Sequence, residues 1–168
     1  GAYGDGGMIT TNSEELGDIS QRLRFYGMEK KKMSSGHWNG KYYSLEHGIN
    51  SRLDELHAAI LLKKLNHLDE YISARCEIAK RYDSELSDTS LILPSERREN
   101  KYVYYVYVVK HSKRDFFIEE LKQRDIHVNI SYPWPIHTMI GYEYLGWEDG
   151  DLPLTEKYSN EVFSLPIY

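Results

Sequence analysis

Residues 48–61 read GINSRLDELHAAIL, and the second half of that stretch is an amphipathic helix. Leu53, Leu56, Ile60 and then Leu65 recur at helical spacing. Ser51, followed three residues later by Asp54, has the form of a capping box. The first half is less ordinary, because it sets Asn50 and Arg52 at the helix mouth. The first turn of a helix presents unpaired N–H groups and the positive end of the dipole. An amide donor and a guanidinium fork placed there would suit an anion; plain capping is the alternative.

Working outward, residues 8–11 are expected to form a short strand, and Asn12 or Ser13 to cap a helix that buries Leu16, Ile19, Leu23 and Tyr26. Residues 27–49 make a long polar segment with Gly27, Gly36, Gly40 and Gly48. A loop of that length inside a compact domain is usually functional or disordered. Downstream, Leu68, Ile72, Cys76, Ala79 and Tyr82 mark a second helical face. The two helical stretches form one long helix, or two that meet near Asn66. Residues 87–100, around Pro94, read as a linker. The period then changes. Residues 102–109 are a dense β-branched and aromatic strand. Ser112 with Asp115 caps a helix bearing Phe116, Phe117, Ile118 and Leu121. Ile126, Val128, Ile130 and Tyr132 alternate as a second strand. A last helix over 154–162 leads into FSLPIY. Strand, helix and strand predict a small α/β domain.

The 168 residues are 40% hydrophobic and 28% charged, enough for a packed core. A formal charge of −5 argues against a nucleic-acid partner. The densest basic run, Lys30-Lys31-Lys32, reads as solvated surface. One cysteine, Cys76, leaves no disulfide framework and suits a reducing compartment. No apolar run approaches a membrane span. These features predict a soluble cytoplasmic protein. GAYGDGG at the start and VFSLPIY at the end both look cut, as expected for the C-terminal part of a larger protein.

GAYGDGG is neither a G-x-G-x-x-G nor a Walker sequence, and it leads towards a strand, so a dinucleotide loop fails its context test. YPWPIHT at 132–138 sets aromatics, two prolines and His137 in a loop after a strand. Rigid loops of this type wall pockets, although such a loop can also simply cover a core. The seven histidines have no H-x-x-x-H spacing and no C-x-x-C accompanies them, which argues against a metal. No G-x-S-x-G supports a serine nucleophile.

GAYGDGGMITTN, LRFYG, GKYYSLEHGINSRLDELHAAIL, SYPWPIHTMIGYEYLG and FSLPIY occur in this order along nearly the whole chain. In this the chain resembles the C-terminal part of the DegT/DnrJ/StrS sugar-nucleotide aminotransferases. The resemblance implies an α/β, aspartate-aminotransferase-like fold (fold type I) and pyridoxal 5′-phosphate as cofactor. Residues 1–66 would be the end of the large cofactor domain, 67–101 a connecting helix and linker, and 102–168 a small C-terminal α/β domain. It also implies a homodimer with shared active sites, in which Asn50 reaches the cofactor phosphate of the other subunit and Arg52 lies in the same segment. Tyr3, Lys41, Tyr132 and His137 would bind substrate. The Schiff-base lysine is expected upstream of Gly1, leaving no catalytic residue in these 168. YPWPIHTM is most similar to the branch that aminates C3 of a dTDP-3-keto-6-deoxyhexose with L-glutamate as donor. A related dehydratase, with histidine in place of the lysine, and a non-catalytic regulatory homologue are the alternatives.

Overall fold

The computed structural model describes residues 1–28, 43–97 and 99–168. It falls into two compact units, Gly1–His67 and Leu68–Tyr168. Among the described residues no helix is long and apolar enough to cross a membrane.

The first unit holds helices α1 (Glu14–Leu23) and α2 (Glu55–Leu65). Ser13 caps α1: its hydroxyl accepts from the Leu16 N–H at 3.2 Å, and Glu14 and Glu15 complement the helix dipole. The strand expected over residues 8–11 is not formed. Extended chain becomes strand only when a neighbour takes its hydrogen bonds, and Met8 and Ile9 stand exposed without a ladder partner among the described residues. The helix expected from Ser51 begins later, with Asp54 as N-cap and no side-chain bond from it. The cause lies just upstream. The N–H groups of Ile49 and Ser51 donate to the carbonyls of Leu23 and Arg24 at 2.8 and 3.0 Å, and the Ile49 carbonyl accepts from Tyr26 at 3.0 Å. Residues committed to the end of α1 cannot also enter a helical turn. Leu56, Leu62 and Leu65 of α2 remain exposed within the unit.

The helical run breaks at Asn66 and His67, and α3 (Leu68–Glu85) opens the second unit. Its apolar face sinks progressively, from exposed Leu68 to fully buried Ala79. Ala79 joins Tyr107, Val109, Phe163 and Ile167 in one core, with Tyr82 and Phe117 packed around it. Strand β1 (Tyr107–Lys110) is shorter than the 102–109 expected from composition. Tyr104 has φ +45°, a left-handed conformation that ends an extended run. Helix α4 (Arg114–Lys122) follows, preceded by Lys113 rather than capped by Ser112. The Lys113 N–H is taken instead by His111 Nδ1 at 2.9 Å.

Strand pairing differs most from the sequence reading. The partner of β1 is β2 (Val162–Leu165), antiparallel, with Val109 opposite Phe163. The alternating segment 126–132 reaches the sheet through one bridge, Asn129 to Ser164, on the far edge of β2; Ile92 bridges Lys110 on the outer edge of β1. Every neighbour is antiparallel, so β1 and the Asn129 segment run the same way with β2 between them. With α4 as the crossover this is a split βαβ unit. Val128 and Ile130 still pack on the core, so their alternation served burial rather than a ladder. Helix α5 (Pro153–Glu161), with Pro153 at its first position, delivers the chain into β2.

Candidate functional site

In the first unit, residues 44–51 lie antiparallel to the end of α1. Phe25 bridges Asn50 and Met28 bridges Ser44. Ser44 Oγ donates to the Tyr26 carbonyl at 2.6 Å, and Arg22 Nε to Glu46 at 2.8 Å. Gly27, at φ +67°, and Gly48 permit the close approach. This irregular pairing fixes the backbone of Asn50 while leaving its side chain exposed, with no hydrogen bond among the described residues. The Arg52 guanidinium lies 5.1 Å over the Phe25 ring, a cation–π contact that orients it. Arg24 Nε donates to the Ser51 carbonyl at 3.2 Å. Gln21, Arg24, Phe25 and Arg52 line an open cleft of about 210 Å³.

Two guanidinium groups beside an exposed amide fit a phosphate by donor chemistry: fixed forks of N–H donors with no competing carboxylate bound to them among the described residues. The fit does not come from a helix N-terminus, because α2 starts three residues beyond Arg52. Arg24 and Phe25 belong to the LRFYG stretch, yet only their long-range approach to residues 50–52 gives them a place in this cleft.

Tyr3 is exposed, with Lys64 Nζ 5.3 Å from its ring centroid and donating to the Gly1 carbonyl at 2.7 Å. Lys41 and the run Lys30-Lys31-Lys32 lie outside the described residues.

In the second unit, Tyr132 is 84% exposed whereas His137 is 7% exposed. Pro135 enters a 3-10 turn over Ile136–Thr138, closed by Thr138, whose N–H and hydroxyl both donate to the Pro135 carbonyl at 3.2 and 3.0 Å. The turn buries the ring of His137, and Nε2 meets Glu156 Oε1 at 2.9 Å. The same oxygen accepts the N–H groups of Gly150 at 2.9 Å and Leu152 at 3.2 Å. The hydrogen bond from His137, seconded by these two backbone donors, holds the Glu156 carboxyl below its ordinary range, against partial desolvation. Sequence reasoning missed Glu156; the available signal was an acid just inside a helix opened by Pro153.

The DegT/DnrJ/EryC1/StrS aminotransferase family model matches residues 2–168. The chain is 46% identical to the dTDP-3-amino-3,4,6-trideoxy-alpha-D-glucose transaminase of Micromonospora megalomicea subsp. nigra, over 100% of this chain and 44% of that protein. It is 36% identical to the pleiotropic regulatory protein of Geobacillus stearothermophilus, over 100% of this chain and 43% of that one. Among solved structures it is similar to S. venezuelae DesV in complex with a ketimine intermediate, with a TM-score of 0.88 and 33% identity over 99% of this chain and 43% of that chain. The chain thus spans less than half the length of these relatives. Its fold is the α/β, aspartate-aminotransferase-like fold of pyridoxal-phosphate sugar aminotransferases. A match along residues 2–168, together with this fold, places the chain in the DegT/DnrJ/EryC1/StrS aminotransferase family.

Proposed function

We propose that the complete protein transfers the amino group of L-glutamate to a nucleotide-linked keto-6-deoxysugar, a dTDP-3-keto-6-deoxyhexose. The observation that carries this reading is the 46% identity, along the whole chain, to a dTDP-3-amino-sugar transaminase. The donor set on residues 50–52 is what such a protein needs from this part of its chain.

The Asn50 amide and the Arg52 guanidinium hold the cofactor phosphate of the partner subunit in a homodimer. The backbone of this segment is tied to the chain that follows α1, which places Asn50, and the contact with the Phe25 ring orients the Arg52 guanidinium. Bound pyridoxal phosphate supplies the electron sink for the transfer. The Schiff-base lysine and the proton movements at the reacting carbon belong upstream of Gly1. Tyr3 offers its hydroxyl to the sugar, Lys41 a point charge to the diphosphate, and Tyr132 and His137 further contacts to the nucleotide sugar. Residues 1–67 would be the end of the cofactor domain; helix α3, expected as a connector, packs through Ala79 into the core of the second unit, so residues 68–168 together would form the small domain. The exposed leucines of α2 favour a covering partner. Cys76, a free thiol, suits the cytoplasm.

Asn50→Ala tests this in the complete protein. Loss of a hydrogen bond to a charged group weakens cofactor retention by about 1.5–3 kcal/mol. In mixed dimers, the Asn50→Ala chain damages the site of its partner. Damage confined to its own site removes the claim of donation across the interface.

The identity to a pleiotropic regulatory protein supports a second reading, a homologue that kept the fold without turnover. Release of 2-oxoglutarate from glutamate, coupled to consumption of the keto-sugar, separates the two.

A further inference from the structure

Glu156 is engaged more heavily than an ordinary surface acid. One carboxylate oxygen, Oε1, takes three donors from three places: the buried ring of His137, the N–H of Gly150 and the N–H of Leu152. Gly150 has φ +97°, a conformation that favours glycine. The 3-10 turn at Ile136–Thr138, the bend at Gly150 and the start of α5 therefore converge on one atom. An oxygen already accepting two N–H groups, on a carboxyl held ionised, can only accept from the imidazole, so Nε2 carries the proton. Nδ1 has no hydrogen bond among the described residues. No fully buried side-chain nitrogen there lacks a partner, so Nδ1 keeps some contact with solvent although the ring as a whole is buried.

We propose that Glu156 is the positioning residue for His137: it fixes the ring as the Nε2–H tautomer and presents Nδ1 as the nitrogen that meets the nucleotide sugar. This rests on the reading of His137 as a substrate contact. A neutral Nδ1 is an acceptor, so its natural partner is a sugar hydroxyl; a diphosphate oxygen can be met there only after Nδ1 is protonated as well. Glu156 acts through His137 and touches no reacting atom.

The test uses the complete protein loaded with its cofactor and carrying ¹⁵N only in histidine, with the His137 signals assigned by His137→Gln. Long-range ¹H–¹⁵N spectra of the unmodified protein should show Nε2 protonated, and titration with the dTDP-sugar product should shift Nδ1. A wild-type ring protonated on Nδ1 alone overturns the proposal without any variant. Glu156→Ala should give a mixture of tautomers and raise the KM for the nucleotide sugar about tenfold or more, while the glutamate half-reaction is unchanged. Glu156→Gln, whose amide oxygen can accept all three donors, should recover the tautomer and most of the affinity. Equal slowing of both half-reactions by Glu156→Ala, or no change in tautomer, overturns it. His137→Ala distinguishes the two levels of failure. If it weakens sugar binding and Glu156→Ala does not, only the positioning role falls; if it leaves sugar binding intact, the substrate role of His137 falls and takes this inference with it.

Discussion

Gly27 and Gly48 meet backbone to backbone where residues 44–51 return along the end of α1. A Cβ on Gly48 would stand 2.6 Å from the Tyr26 carbonyl carbon and 2.8 Å from the Leu23 carbonyl oxygen. Gly27 is held at φ +67° against the Glu46 carbonyl. Neither position can take a side chain without parting the segment that carries Asn50. Gly48→Ala is expected to destabilise the protein by about 1–3 kcal/mol through overpacking against rigid backbone, and Gly27→Ala by more, because conformational strain adds to the clash. Urea unfolding of each variant measures this. Cofactor retention should fall in parallel, since Asn50 and Arg52 lose their footing.

Ser13 is a local device with a local cost. Its hydroxyl satisfies the Leu16 N–H at the start of α1. Ser13→Ala should cost about 1 kcal/mol, and Ser13→Asp should restore it. Thermal unfolding of the three proteins side by side decides the matter; an unchanged midpoint in Ser13→Ala would show that the cap is dispensable.

Tyr107 is fully buried, and its hydroxyl donates to Asp83 Oδ1 at 2.6 Å. Tyr107→Phe should cost about 1.5–3 kcal/mol, the scale of a hydrogen bond to a charged acceptor. Burial first, then the bond to Asp83, raises the pKa of Tyr107 well above the ordinary tyrosine range. Above pH ~10 the unfolded chain releases this proton while the native one keeps it. The unfolded state then binds fewer protons, so stability falls as pH rises. The difference between wild type and Tyr107→Phe should accordingly shrink above that pH. Tyr82 and Tyr104 are raised as well, chiefly by burial, so the variant keeps part of the alkaline loss.

Glu156 works in the opposite direction. Its folded pKa is lowered, above all by the hydrogen bond with His137. The native state therefore binds fewer protons than the unfolded one near the ordinary glutamate range. The stabilisation is present above that range and is lost as pH falls through the folded value. Glu156→Gln, which cannot titrate, should lack this component of acid sensitivity. Unfolding midpoints compared between pH 3 and pH 7 would show the two curves converging on the acid side; parallel curves would contradict the coupling.

Several local features were legible in the sequence and remote ones were not, although Leu16 and Tyr26, expected on the buried face of α1, are exposed. The cap at Ser13 and the sinking face of α3 through Ala79 and Tyr82 follow from neighbours three or four residues apart. Val128 and Ile130 were expected in a second strand; they pack on the core instead, and their alternation could not reveal that β2 takes the place beside β1. The run FSLPIY did not read as a strand, because a short apolar run with a proline is ambiguous without its partner. Ser51 and Asp54 have the pattern of a cap, yet hydrogen bonds to Leu23 and Arg24, remote in sequence, hold the chain extended there. The same distance hid Arg24 and Glu156. Each gains its importance from a residue roughly twenty to thirty positions away, a span over which local patterns carry no signal.

The order of strands in the second unit has a cost during synthesis. β1 is complete at Lys110, but the strand that pairs with it, β2, begins only at Val162, about fifty residues later. At ~5–20 residues per second a ribosome takes roughly 3–10 s to bridge that interval. Throughout it Tyr107 and Val109 have neither their ladder partner nor Phe163 to pack against. The nascent chain then presents an unpaired, apolar strand edge, the form most open to pairing with another chain. Codon choice and chaperone occupancy between residues 111 and 161 should therefore govern soluble yield more strongly than they would in a fold whose sheet is assembled from consecutive strands.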